Sequence, residues 1–156
     1  MHITIRRAKL SDLDAICTLS QSLFEHERQF TDEYDMGWSH GVAGRKFFTK
    51  MLRSRKAFVL LALAEEKVVG YILVKFLTFS WRAYNPIAEL TNLSVDPMFR
   101  GQGIGTKLVE KAVAIARKRG AKRMSVEGLH DNVRALKFYK TQGFRSFSDT
   151  LLLTLT

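Results

Sequence analysis

An α/β single domain with a mixed central sheet is the fold this sequence predicts, and three observations predict it. Strand-like and helix-like segments interleave along the chain in the order β α α β β β α β α β. The length, 156 residues, is enough for one core and short of two. The composition is that of a globular protein, 46% hydrophobic and 26% charged with two prolines, and no repeat, low-complexity tract or linker divides it.

The elements follow in order. "HITIRRA" alternates and reads as a short strand. "KLSDLDAICTLSQSLF" reads as a helix with Ser11 as N-cap and Leu13, Ile16, Cys17, Ser20, Leu23 and Phe24 on one side. An acidic, aromatic stretch, "EHERQFTDEYDMGW", comes next, and a second helix is expected over about residues 38–52 with Phe47, Phe48 and Met51 facing in. "AFVLLALAEEKVVGYILVKFLTF" is two strands around a tight turn at Glu65-Glu66-Lys67. "IAELTNLSV" is another strand, closed by Asp96-Pro97. From Gly103 to Arg119 the pattern is helical: Ile104, Leu108, Ala112, Ile115 and Ala116 form one face, and Gly120 ends it. "KRMSVEGL" is a strand, "DNVRALKFYKTQ" a helix opened by Asp131, and "FRSF" and "TLLLTLT" are final strand pieces. That apolar tail would complete the core or pair with another copy, so a homodimer is one expectation.

Composition also bounds function. The single cysteine, Cys17, lies in the apolar pattern of the first helix, which reads as a core position; no internal disulfide can form. His2, His26, His40 and His130 are scattered, and none pairs with a cysteine at zinc spacing, so no metal is implied. The opening residues carry charge without an apolar h-region, and the longest apolar run, Ala57 to Ala64, is too short to span a bilayer. A cytoplasmic, reducing location is the expectation, with no membrane partner. The net charge of +10 is concentrated: residues 99–145 hold 12 Lys/Arg against Glu110, Glu127 and Asp131, a net of +9. A polyanionic small ligand accounts for that excess as well as nucleic acid does.

The basic half contains "FRGQGIGTKL", a glycine-rich turn opening a helix. Such a turn suits phosphate, because unpaired amides and the positive end of the helix dipole meet there. It fails the nucleotide-hydrolase pattern G-x-x-x-x-G-K-S/T, since Thr106 holds the second glycine position. It fails the dinucleotide pattern G-x-G-x-x-G as well, since Gly101, Gly103 and Gly105 are spaced G-x-G-x-G. Alone, the glycines are equally consistent with a tight turn.

"Arg100-Gly101-Gln102-Gly103-Ile104-Gly105" resembles the R/Q-x-x-G-x-G/A signature of the GCN5-related N-acetyltransferases (GNAT). "NVRALKFYKTQGF" resembles that family's N-x-x-A-x-x-x-Y-x-x-x-G-F stretch, with Asn132, Ala135, Tyr139, Gly143 and Phe144 in place. "LTNLSVDPMFRGQGIGTKLVEKAVAIARKRG" looks like its fourth strand, turn and third helix, and "ITIRRAKLSDLDAI" like its opening. The resemblance implies one N-acetyltransferase domain over residues 1–156, transferring the acetyl group of acetyl-CoA directly to a primary amine. It implies that amides of Gly101 to Thr106, with Arg100 and Gln102, hold the pyrophosphate. The backbone of Leu93, Ser94 and Val95 would pair with the pantetheine arm. Asn132 would touch the cofactor, and Tyr139 would protonate the departing sulfur. A phenol with pKa near 10 still carries its proton at neutral pH.

Two glutamates compete as the base. Glu89, in "AELTNLSV", resembles the base of some lysine acetyltransferases. Glu127, in "SVEGL", resembles that of the ribosomal-protein type, although Gly128 stands where a β-branched residue is common there. Both sit in otherwise apolar stretches, where burial raises a carboxyl pKa. The acidic stretch between the first two helices, with Asp32, Glu33 and Asp35 among Phe30, Tyr34 and Trp38, would draw a cationic acceptor; a solvated helix end is the plainer reading. Two rivals share the sequence. One is a non-catalytic acyl-CoA-binding regulator on the same fold. The other is a nucleic-acid module suggested by "RKRGAKR", which lacks any helix-turn-helix, RRM or zinc pattern.

Overall fold

The computed structural model describes residues 1–156. Five strands form one sheet in the order β1-β2-β3-β4-β5: β1 Ile3–Arg7, β2 Ala57–Ala64, β3 Lys67–Leu77, β4 Ile87–Val95 and β5 Arg123–Val126. The first three pairings are antiparallel and β4 with β5 is parallel, so the sheet is mixed. The helices are α1 Leu13–Glu27, α2 Val42–Arg53, α3 Ile104–Lys118 and α4 Val133–Thr141.

The run "AFVLLALA" is continuously apolar because both faces of β2 are covered. Phe58, Leu60 and Ala62 point into the core shared with α3, where Ile104, Leu108, Val109 and Ala112 are buried. Ala57, Val59 and Leu61 point the other way, against Ile16, Cys17 and Leu19 of α1 and Phe48 and Met51 of α2. Fully buried side chains such as Phe48, Leu61 and Leu73 each contribute roughly 1.5–3 kcal/mol. Cys17 is wholly buried in that second core, and burial pushes its thiol pKa up.

Several boundaries differ from the sequence reading, each for a local reason. Ser11 does not cap α1. A short 3-10 turn, Leu10–Asp12, precedes the helix, and Asp12 accepts from the Lys9 amide at 2.7 Å. Asp12 also takes both guanidinium nitrogens of Arg6 at 2.8 and 2.9 Å, tying β1 to this turn. The second helix begins at Val42, not near residue 38, and the chain before it turns so that Trp38 packs on Phe47 and Phe48. Asp131 does not cap α4; the buried Asn132 does, accepting from the Ala135 amide at 3.2 Å. The expected final strands do not form within the chain: residues 145–156 are exposed and pair with nothing. No helix is long and apolar enough to cross a membrane.

Arg6 and the Lys9 amide hold the Asp12 carboxyl below its ordinary range, with the Arg6 hydrogen bonds the largest cause. Its contribution to stability is therefore complete above about pH 4 and disappears as pH falls through the lowered value. Asp12→Ala is expected to lower the unfolding free energy by roughly 1–3 kcal/mol at neutral pH. Urea denaturation across a pH series should show the gap between variant and parent closing in strong acid.

Candidate active site

The site is set by where β4 loses its neighbour. β5 pairs with β4 only from Ile87 to Leu90. From Thr91 to Val95, β4 keeps β3 on one side and has no strand on the other. A register shift opposite Leu73/Val74 adds Thr91 as an extra residue, a bulge at the point of parting. Ala88 and Leu90 lie in the α3-side core, so Glu89 faces the α1/α2 side; its carboxylate pairs with Lys75 across the strands at 3.4 Å and meets the Thr91 hydroxyl at 3.3 Å. Beyond the bulge Ser94 turns to that same side, buried, and its hydroxyl donates to the Leu19 carbonyl of α1 at 2.8 Å.

The open edge leads into the glycine turn. Gly101 and Gly103 adopt left-handed backbone, with φ of 75° and 78°, and nothing lies within 4 Å of where a Cβ would stand on either. The first helical return bond runs from the Lys107 amide to the Gly103 carbonyl at 3.1 Å, and no side chain caps the helix. The amides of Ile104, Gly105 and Thr106 are thus left as free donors at the positive end of α3. Gln102 is exposed beside them. Arg100 binds the Val95 carbonyl through Nε at 3.0 Å and lies 3.4 Å from His26 Nδ1 of α1. Burial first, then the charges of Arg100 and Arg134, lower the His26 pKa, so its imidazole is neutral at pH 7. Free amides and the Arg100 guanidinium together give this turn a positive potential.

α4 is docked on the first turn of α3. A Cβ on Gly105 would stand 3.3 Å from the Phe138 ring, and Gln142 donates to the Thr106 hydroxyl at 3.2 Å. The next residue, Tyr139, stacks edge-on against Phe138 and Phe144. Burial, and secondarily the charge of Glu27, pushes the Tyr139 phenol up to about 12, so it keeps its proton at any physiological pH.

The sequence-predicted residues do not all converge. Glu127 is not buried in a strand: β5 ends at Val126, and Glu127 is exposed just beyond it. Its charge nevertheless reaches Tyr34. Glu33, Tyr34, Asp35 and Trp38 meet with Phe24 around an open hollow of about 240 Å³. Tyr34 stacks on Phe24 with ring centroids 4.6 Å apart. Asp32 and Phe30 do not line this hollow; Asp32 is exposed and Phe30 packs edge-on against His26. Asn132 is committed to capping α4 through its carbonyl oxygen.

Sequence reasoning placed Glu27 only in the acidic stretch and did not single it out as a base. It ends α1 on the inward face, seven positions after the buried Ser20, and that helical spacing was the available signal. Burial raises its carboxyl pKa, and its charge raises both Tyr34, to about 12, and Tyr139. One carboxyl thus acts on both Tyr34 of the hollow and the Tyr139 phenol.

The profile of the Acetyltransferase (GNAT) family matches residues 13–144. The chain is 30% identical over 150 residues to the thialysine N-epsilon-acetyltransferase of Bos taurus, covering 94% of this chain and 86% of that one. It is also 30% identical to the uncharacterized N-acetyltransferase MJ1207 of Methanocaldococcus jannaschii, covering 90% of this chain and 60% of the relative's length. Among solved structures, the aminoglycoside N-acetyltransferase AAC(6')-Iy in complex with CoA superposes with a TM-score of 0.77 at 16% identity, covering 98% and 94% of the two chains. The protein belongs to the GNAT family and is an acetyltransferase enzyme. In that family's terms, the regulator and nucleic-acid readings give way.

The departure at Gly128 has a steric cause. A Cβ there would stand 2.6 Å from Leu136 Cδ2 of α4. Gly128→Val should push the half-buried end of Leu136 into another rotamer and destabilise the fold by only about 1 kcal/mol. Thermal melts should show Gly128→Val combined with Leu136→Ala to be less destabilised than the sum of the single changes.

Proposed function

We propose that this enzyme moves the acetyl group of acetyl-CoA directly to a primary amine that carries positive charge, on a small molecule or on a peptide or protein. The observation that carries the reading is the open edge of β4 from Thr91 to Val95, running straight into the free amides of the glycine turn. An extended amide-bearing arm can pair with that edge as a strand would, and its phosphates then reach the helix end. Relatives named for thialysine and for aminoglycosides support an amine acceptor.

The chain's residues divide the work. Amides of Gly101 to Thr106, with Arg100 and Gln102, hold the pyrophosphate. The backbone at Leu93, Ser94 and Val95 orients the arm, and an N–H there polarises the thioester carbonyl as negative charge develops on its oxygen. The acceptor enters from the α1/α2 side, where Glu33, Tyr34 and Asp35 line the hollow and Asp32 adds to the field. A carboxylate takes the ammonium proton, the freed nitrogen forms a bond to the acetyl carbon, and the carbon–sulfur bond breaks as Tyr139 gives its proton to the departing thiolate. The second proton lost from the acylated nitrogen, passed through water, restores the phenol, and the carboxylic acid releases its own proton to solvent. Of the carboxylates, Glu89 faces the acceptor side but is neutralised by Lys75, and Glu127 is solvated. Glu27 is the one whose charge reaches Tyr139.

Thiol release from acetyl-CoA, measured against polyamines, aminoglycosides, amino acids and peptides with free N-termini or lysines, tests the reading. Turnover is expected with a cationic class, and Tyr139→Phe should slow kcat by about 10²–10⁴-fold with CoA affinity nearly unchanged. Turnover confined to acceptors without positive charge would overturn the cationic reading.

The pH profile then assigns the base. A base must be ionised, so kcat/KM should rise with pH through a value above the ordinary carboxylate range if Glu27 serves, because burial raises it. Glu27→Gln should abolish that rise, and Glu89→Gln and Glu127→Gln should leave it in place. Loss of the rise in Glu89→Gln alone would return the role to β4.

A further inference from the structure

The end of the sheet opposite the glycine turn gathers segments that are far apart in the sequence. β2 starts there at Ala57, beside Lys75 of β3; β4 starts at Ile87, with Leu77 of β3 on one side and Arg123 of β5 on the other. Two backbone bonds tie the flanking residues in. The Phe76 amide donates to the Lys56 carbonyl at 2.8 Å, and the Lys122 amide to the Pro86 carbonyl at 2.9 Å. α3 also ends here, about 22 Å from the glycine turn at a rise of about 1.5 Å for each of its 15 residues.

Positive charge collects at this end with nothing to balance it. Residues 53–56 bring three cations, residues 117–123 bring five, and Arg82 lies in the loop between β3 and β4; eight of these nine are exposed. The stretches that carry them, residues 36–64, 67–88 and 111–126, contain no Asp or Glu. None of the nine takes part in an ion pair. Burial, and secondarily the charge of Arg7, lowers the Arg119 pKa, so like charges stand close together here. Such a face draws a polyanion.

The same end displays flat rings. Trp81 is 74% exposed and Tyr84 53%, and they are the only large apolar side chains that residues 53–56, 78–86 and 117–123 expose. Asn85 fixes their loop: it accepts from the Phe79 amide at 3.1 Å and donates to the Phe79 and Arg82 carbonyls, both at 2.9 Å. The Arg82 guanidinium lies 4.9 Å from the Trp81 ring centroid, and that of Arg123 lies 3.7 Å from the Tyr84 centroid. Arg82 Nε has no acceptor within the protein. A ring backed by a guanidinium offers a stacking face beside a positive charge, which matches a base beside its phosphate. A duplex hides its base faces. A lipid surface is bound through a broad apolar face, which two rings among nine cations do not supply.

We propose that this end of the enzyme binds single-stranded nucleic acid, with phosphates on the cations of residues 53–56 and 117–123 and bases stacked on Trp81 and Tyr84. The strand then lies at the far end of α3 from the glycine turn and leaves the acetyl-transfer site free. The proposal does not rest on the acetyl-transfer reading.

Fluorescence anisotropy of a labelled oligothymidylate of about 12 nucleotides, within the span such grooves cover, tests it. Binding is expected at low salt, with a slope of log K against log salt of about −2 to −3.5 for three to five phosphate contacts. Saturating acetyl-CoA should not displace the oligonucleotide. Trp81→Ala with Tyr84→Ala, checked as folded by circular dichroism, should weaken binding by at least about 5-fold. Lys118→Gln with Lys122→Gln should make the slope shallower by about 1.4 and leave acetyl-CoA affinity unchanged. No binding at low salt would overturn the proposal, whether or not phosphatidylserine vesicles bind. Displacement by acetyl-CoA, unchanged affinity in the double ring variant, or tighter binding to a duplex of the same length would each overturn it equally.

Discussion

The separation of β4 from β5 after Leu90 is the constraint on which the site depends. A central strand ordinarily spends both rows of backbone groups on its neighbours. Here the parallel partner covers only Ile87 to Leu90, and the bulge at Thr91 twists the strand as the partner leaves. Five residues of β4 are then held by β3 while no strand covers their other edge, where Arg100 Nε takes the Val95 carbonyl. Rigidity comes from the antiparallel side and availability from the other. The glycine turn follows within ten residues of that opening, at the end of the same strand, so the two binding features share one rigid origin.

Electrostatics divides the molecule in the same place. Cations sit at both ends of α3: Arg100 and Arg134 act on the neutral His26 near the glycine turn, and Arg117, Lys122 and Arg123 line a hollow at the far end. Carboxylates gather by the acidic hollow: Glu33 and Asp35 line it, and the charges of Glu27 and Glu127 act on Tyr34, which lines it too. Tyr139 stands where the two meet.

Much of this was legible in the sequence. β2, β3 and β4 could be read almost to the residue because each is an apolar run bounded by charge or by Asp-Pro. The glycine turn was legible as a turn opening a helix, while Tyr139 was singled out only by the family resemblance. What failed depended on distant partners. Ser11 looked like a cap, but Asp12 is fixed by Arg6 from β1, which no local pattern encodes. Glu127 reads as part of a strand, but the strand ends one residue earlier, where the chain turns away beside Gly128. Glu27 is conspicuous only once Tyr34 and Tyr139, from a loop and from α4, are seen around it. The tail shows strand patterning plainly, but periodicity cannot say to which sheet a strand belongs.

The connection between α1 and α2 has a further consequence. It is anchored by ring stacking, Tyr34 on Phe24 and Trp38 on Phe24, Phe47 and Phe48, with no strand pairing into the sheet. The glycine turn, by contrast, is held by β4 and α3 backbone. Side-chain exchange in residues 28–41 can therefore reshape the hollow while the turn keeps its form. The aromatic stack is a joint: what it carries can be remodelled without moving the frame to which it is bolted.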